Sequence, residues 1–212
     1  MTDEIKSPFW IDQNFLSSDE VADLASKLWV EPTRDEHGQE FPIQRNVPEV
    51  EKYIYDKIID SIPKIMEYYD MKFKGCEHIF FHQIPPTNGK NVEEPHAENA
   101  MFKRKKWVRT SQRDLTGYIW FKDYNDTPPF NLQTEVYGGK LEFPVYDFGF
   151  QPQAGTMVVF PSCERFINLT TSVKVGDLMF AKFHIHGDGI WIYDPAKFPG
   201  DVNSWFTNVI RS

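Results

Sequence analysis

The chain of 212 residues has little cysteine, no long apolar run and no long basic run. Its two cysteines, Cys76 and Cys163, stand far apart. That excludes a disulfide framework and a Cys-based zinc spacing, and it suits a reducing compartment. No window is long and apolar enough to span a bilayer, so a membrane is not an expected partner. The opening stretch MTDEIKSPFW has no apolar signal segment, which predicts a cytoplasmic protein. The sequon Asn168-Leu169-Thr170 then carries no meaning for glycosylation. The net charge is −8, and KRKK at Lys103–Lys106 is the one basic cluster. It reads as a solvated edge strand. Nucleic acid is excluded as a main partner, because phosphate binding needs a basic face. No repeat and no low-complexity tract appears.

What is present is aromatic. Hydrophobic residues make up 41% of the chain and Phe, Trp and Tyr 16%, which suits a broad sheet interior. The length is enough for one domain with a real core. The first third reads as helical. Ser17 followed by Glu20 fits a capping box, and Leu16, Val21, Leu24 and Leu28 form an apolar stripe. After the loop TRDEHGQEFPIQRN, a second stripe runs through Val50, Ile54, Ile58 and Ile65. Pro63 is expected to kink or divide this helix.

From about residue 75 the period shortens. CEHIFFHQI, KKWVRTS, DLTGYIWFKDY, GGKLEFPVY, TMVVFP, INLTTSV and DLMFAKFHIHG are β-branched and aromatic runs. Turn residues separate them. Two helices followed by some eight strands predict a mainly β fold with N-terminal helices packed on one face of a sandwich or small barrel. The expected organisation is one domain: supporting helices over 1–72, the β core over 73–200 and a tail over 201–212. The loop Asn125–Gly138 is long for a compact fold and therefore a candidate functional segment.

The stretch EEPHAENAMF places His96 and Glu98 two residues apart. His-x-carboxylate is half of a common non-haem iron site, which needs a second imidazole and open positions. Strand alternation puts Leu178, Phe180, Lys182, His184 and His186 on one face of the last strand. The other readings are structural. His184 and His186 suit a solvated pair at a strand end. Lys182 suits a snorkelling edge residue. Asn168 suits a turn cap or a bond to neighbouring backbone. Cys76 and Cys163 suit small buried residues. Phe80, Phe81, Tyr118, Trp120, Phe143 and Phe160 suit the core.

The order of motifs resembles the Fe(II)- and 2-oxoglutarate-dependent oxygenases of the prolyl-4-hydroxylase type. It is especially similar to hydroxylases encoded by tailed phages of marine cyanobacteria. The motifs are IFFHQIPPTNG leading to Pro95-His96-Ala97-Glu98, the strand DLTGYIWFKDY, Gly138-Gly139-Lys140-Leu141-Glu142-Phe143, and Gly155 through Ser162. The resemblance covers roughly residues 75 to 187 and the helices in front. It implies a double-stranded β-helix, a jelly-roll, with Fe(II) and 2-oxoglutarate as cofactors and a tyrosine, here Tyr118, near the co-substrate.

Counted back from Gly176, the family's second metal-binding His falls on Asn168, and its co-substrate Arg or Lys falls on Leu178. An amide oxygen is a poor Fe(II) ligand, and a leucine cannot pair with a carboxylate. The last strand of this fold pairs with the first, so His82, His96 and His184 could converge with Glu98, and Lys182 could supply the missing positive charge. The candidate metal ligands are therefore His96, Glu98 and His184, and the candidate co-substrate contacts are Tyr118 and Lys182.

Three functions follow. One is an iron- and 2-oxoglutarate-dependent hydroxylase acting on a peptidyl proline or another side chain. Another is a non-catalytic β-helix that binds a protein or peptide partner, for example as an accessory protein of a phage particle, located in host cytoplasm or virion. The third is a cupin-like site for another metal. With no Arg at the expected position, weak 2-oxoglutarate binding is expected.

Overall fold

The computed structural model of the protein describes residues 6–36 and 40–206. The readings of residues 1–5, of part of the loop 33–46 and of the tail beyond 206 lie outside the described residues. Strand β1 (Trp10–Asp12) leads into helix α1 (Ser18–Leu28), then β2 (Ile43–Arg45) and helix α2 (Pro48–Tyr69). The capping box holds as expected: the Glu20 amide donates to Ser17 Oγ at 3.3 Å, and the Ser17 amide donates to Glu20 Oε2 at 2.7 Å. Val21, Leu24 and Leu28 are buried along one face of α1. In α2, Val50, Ile54, Ile58, Ile62 and Ile65 are buried. Pro63 does not divide this helix, which is continuous across it. An interior proline costs about 3 kcal/mol, and the long apolar face buried on both sides of Pro63 offsets that cost.

The β region holds more strands than the sequence pattern separates. They are β3 (Phe73–Cys76), β4 (Phe80–Ile84), β5 (Ala100–Lys103), β6 (Lys106–Arg109), β7 (Leu115–Trp120), β8 (Asp123–Tyr124), β9 (Glu135–Gly138) and β10 (Leu141–Phe143). After them come β11 (Phe148–Phe150), β12 (Met157–Pro161), β13 (Leu169–Thr170), β14 (Val173–Val175), β15 (Leu178–Gly187) and the short helix α3 (Val202–Trp205). The main antiparallel sheet runs β1-β12-β7-β15-β4-β2, with β3 also pairing to β15. Ten-residue β15 is its spine, with β7 on one side and β4 then β3 on the other.

The smaller sheets β11-β10-β13 and β14-β9-β8 complete the fold, a double-stranded β-helix. Aromatic rings join the two layers: Phe143 meets Phe160 edge-on at 4.9 Å, and Phe150 lies 6.5 Å from Trp120. Every residue of β7 is buried, so the main sheet is covered on both faces at this strand. Gly117 is required there by space. A β-carbon on it would lie 2.0 Å from the ring of Phe183, its cross-strand partner.

Two segments differ from expectation. The stretch Asn125–Gly138 is not one long loop, because β9 occupies its end and pairs in parallel with β8. The KRKK cluster is a hairpin turn rather than an edge strand: Lys103 and Lys106 end β5 and β6, and Arg104 and Lys105 take φ of 49° and 64°. Phe80, expected in the core, is 41% exposed, whereas Phe81, Tyr118, Trp120, Phe143 and Phe160 are buried.

Candidate functional site

The segment between β4 and β5 carries His96 and Glu98. It is laced by backbone hydrogen bonds to the strands beside it. The Thr87 amide donates to Val173 O, Val92 to Thr170 O, and His96 to Asn168 O at 3.0 Å. The Asn168 amide returns a bond to His96 O at 2.9 Å. Asn168 is therefore the direct antiparallel partner of His96. Its side-chain amide donates to Phe166 O at 3.2 Å, and its buried Oδ1 has no partner.

Glu98 is the hub. It is buried, and its Oε1 lies 2.6 Å from Lys182 Nζ and 3.1 Å from His96 Nε2. His184 Nε2 stands 3.9 Å from Oε2, beyond hydrogen-bonding range. Lys182 arrives from β15 opposite Tyr118 in the register, with Nζ 5.3 Å from the ring centroid. Glu93 Oε1 lies 3.9 Å from the same ammonium. The structure thus brings together His96, Glu98, Tyr118, Lys182 and His184.

The protonation states follow from this geometry. Burial alone would raise the Glu98 pKa, but His96, Lys182 and His184 hold it well below the usual carboxylate range. Burial opposes the Lys182 charge, yet Tyr118, Glu98 and Glu93 raise its pKa above the ordinary lysine value. The bond to Glu98 raises the pKa of His96. Both His96 nitrogens face acceptors, Nδ1 at 2.9 Å from Glu94 O and Nε2 at Glu98, as suits an imidazolium. Burial pushes His184 down to about 3, so it is neutral. Its Nδ1 lies 3.2 Å from Thr116 Oγ1, which is 2.7 Å from Ser162 Oγ.

The remaining residues lie outside these direct contacts, although His82 is near enough for Lys182 and Glu98 to act on its charge. His82 is held by stacking on Phe180, centroids 4.6 Å apart at 4°, and burial lowers its pKa to about 4. Leu178 is fully buried against Gly139, four residues along β15 from Lys182, a separation of roughly 13 Å in an extended strand. His184 is not part of a solvated pair. His186 is the half-exposed one, with Nε2 3.1 Å from Glu77 Oε1. Lys182 does not snorkel, its side chain being 12% exposed. Both cysteines are half-buried free thiols, with burial raising Cys76 to about 12 and Cys163 to about 11.

Sequence reasoning missed Glu93, Thr116 and Ser162 as parts of the site. Glu93 was legible as a further acid within EEPHAEN. The two hydroxyls required the β7–β12 register. A wide cleft of about 1450 Å³ lies elsewhere, lined in part by Trp29, Phe121, Lys122 and Leu132, and none of the predicted site residues lines it.

Fe(II) does not fit these residues as they stand. Among the described residues, no group of three or more His, Cys, Asp or Glu side chains is arranged to hold a metal ion. A ligating imidazole must offer a lone pair. His96 instead directs Nε2 to a carboxylate, and an ammonium already sits on Glu98. A 2-oxoglutarate carboxylate would need a free cation, and the Lys182 ammonium is engaged with Glu98.

No protein-family model and no curated protein sequence matches the chain. Solved structures do. A viral collagen prolyl hydroxylase from Paramecium bursaria Chlorella virus-1, solved as a 2OG complex, is 16% identical with a TM-score of 0.58, over 86% of this chain and 97% of that one. A prolyl-4-hydroxylase from Pseudomonas putida is 16% identical with a TM-score of 0.59, over 88% and 96%. A prolyl hydroxylase from Trichoplax adhaerens, solved with a hypoxia inducible factor oxygen degradation domain peptide fragment, is 14% identical with a TM-score of 0.58, over 85% and 84%. The chain thus has the fold of the prolyl hydroxylases, an oxygenase fold, along nearly its whole described length.

Proposed function

We propose that the protein is a peptide- or protein-binding module on the prolyl-hydroxylase fold, without iron- and 2-oxoglutarate-dependent turnover. The observation that carries this reading is the internal neutralisation of Glu98 by Lys182 at 2.6 Å. A buried carboxylate needs one good counter-charge, and here the chain itself supplies it. Leu178, buried where the resemblance puts the co-substrate's basic partner, supports the same reading. A structural neighbour solved in complex with a peptide fragment makes a peptide or protein the natural class of ligand.

The hairpin β5–β6 begins two residues after Glu98 and is the best-suited surface for that ligand. Met101, Phe102, Trp107 and Val108 are exposed on it. Exposed aromatics beside basic side chains suit a protein contact more than a solvated edge.

Calorimetry with Fe(II) under anaerobic conditions, then with 2-oxoglutarate, tests the proposal. The expected result is no saturable binding of either. Stoichiometric Fe(II) binding that is lost in His96→Ala would sink it. That outcome would favour the second reading, a hydroxylase working from a rearranged His96, Glu98 and His184 set, for which the proximity of both imidazoles to Glu98 speaks.

A further inference from the structure

The hairpin β5–β6 is a ribbon without cover. It pairs only with itself, and every residue of its two strands except Ala100 is exposed. A two-stranded ribbon is marginal in water unless an apolar face is packed, yet this one turns Met101, Phe102, Trp107 and Val108 to solvent. Between Ala100 and Arg109 it carries Lys103, Arg104, Lys105, Lys106 and Arg109 and no acid, in a chain of net charge −8. Its partner must therefore offer apolar surface and negative charge together. The chain has such a surface of its own. The cleft of about 1450 Å³ exceeds the roughly 300–1,000 Å³ of small-molecule sites, so it has room for a piece of polypeptide. On its walls Trp29 and Leu132 are 51% and 55% exposed. Among the described residues that line it, Arg34 is paired with Glu40 at 2.6 Å, Glu20 with Lys57 at 2.5 Å, and the Lys122 ammonium is held by the Leu132 carbonyl at 2.5 Å. Glu31, Asp123 and Asp177 form the acid face that is left. Glu31 and Asp123 are exposed. Asp123 and Asp177 accept from neutral donors, the Ala154 amide at 2.8 Å and the Gln83 side-chain amide at 2.7 Å, and neither bond cancels a charge.

We infer that the hairpin's partner is a second copy of this chain: the basic, aromatic ribbon β5–β6 of one copy docks in the acidic, apolar-walled cleft beside α1 of the next. The two surfaces sit at opposite ends of the main sheet. The hairpin leads into β7 at Leu115, and the cleft takes up Phe121, Lys122 and Asp123 beyond Trp120 at the other end. On β15, Asp177 precedes the first residue, Leu178, while Trp191, whose carbonyl accepts from Arg109 at 3.2 Å, follows the last, Gly187. The 10 residues of β15 set these ends roughly 30 Å apart. A ribbon with strands of 4 residues spans only about 13 Å, so the hairpin does not reach its own cleft. The contact is heterologous. Copies therefore join head to tail into rings or open chains rather than closing as a two-fold pair. The inference rests on the reading of the hairpin as the binding surface and names that surface's partner.

Sedimentation velocity of the full chain over a concentration series is the test. The unaltered chain is expected to exceed twice the monomer mass as concentration rises. It should fall back toward monomer in about 1 M salt, where charges are screened beyond roughly 3 Å. Two variants each remove one surface: Arg104→Glu with Lys105→Glu on the hairpin, and Trp29→Ser with Glu31→Lys on the cleft. Each alone should stay monomeric with its melting temperature unchanged. Mixed, they should form a one-to-one pair and nothing larger, because the intact hairpin of one fits the intact cleft of the other. Phe102→Ser with Trp107→Ser is the companion hairpin variant in case the charge reversal disturbs the fold. If the unaltered chain is monomeric throughout, the inference is overturned, and the binding-module reading stands or falls separately on the Fe(II) calorimetry. If the cleft variant still associates, or the mixed variants form no pair, copies do not meet hairpin to cleft and the inference is overturned as well.

Discussion

At the residue scale, Lys182 and Glu98 form the contact on which the site depends. Removing one member of a buried pair strands the other, at a cost of about 3–5 kcal/mol, whereas replacing both is far milder. Lys182→Met should therefore cost about 3–5 kcal/mol in urea unfolding. The double replacement with Glu98→Gln should cost clearly less than the two single changes added together. Additive losses would show that the two groups do not interact. Tyr118 gives the opposite case. Its buried hydroxyl makes no well-formed hydrogen bond, only a loose interaction with the Lys182 ammonium, so Tyr118→Phe should change stability by no more than about 1 kcal/mol. A larger loss, read by the same unfolding, would mean that the hydroxyl holds the Lys182 ammonium firmly.

Individual residues were legible in the sequence to different degrees. His96 and Glu98 stood out because a two-residue spacing across a turn needs no tertiary information. Lys182 and His184 were reachable through strand alternation. That Lys182 reaches Glu98 rather than solvent depended on the β7–β15 register, which sets Lys182 opposite Tyr118. A shift of one residue would have turned the whole row to the other face.

At the element scale, the helices were the easiest to read and the short strands the hardest. The Ser17 box is local chemistry, so Ser17→Ala should cost about 1 kcal/mol, seen as a lowered melting temperature. Strands β8, β9 and β11, each of two to four residues, are too short to show a period, and β9 was absorbed into an apparent loop. The β5–β6 turn lacks the Asn-Gly or Asp-Gly signal of a two-residue hairpin. Its positive φ values fall on Arg104 and Lys105 instead, which is why KRKK read as a strand. Because the hairpin's large apolar side chains are exposed, the double change Phe102→Ser and Trp107→Ser should leave the melting temperature within a degree or two, by the small effect expected of surface substitutions. Any partner retained by the unaltered chain should be lost.

At the scale of the whole molecule, buried neutral histidines set the acid limit. His82 and His184 titrate near 4 and 3 in the fold against 6.5 when exposed. Below pH 6.5 the unfolded chain binds protons that the folded chain refuses, so stability rises with pH in this range and falls as the solution is acidified. Each group adds a slope of about 1.4 kcal/mol per pH unit, down to its own folded pKa. His82→Phe, which keeps a ring to stack on Phe180, should remove one such slope between pH 6 and 5 (about one unit) when urea midpoints are compared. An unchanged slope would mean that His82 is already free to protonate in the folded protein. The fold class itself was legible as helices followed by aromatic strands. The layering of two sheets around one core depends on pairings far apart in sequence, such as β1 with β12.

The β5–β6 turn also has a consequence for handling the protein. Lys103, Arg104, Lys105 and Lys106 are exposed and consecutive, at the tip of a ribbon that pairs only with itself. A protease that cuts after basic residues should nick the chain there before anywhere else in the described β region. The flanking fragments would stay bound through β4, β7 and β15, which exchange hydrogen bonds within the main sheet. The cut protein should run as one species on a sizing column and as two bands once denatured.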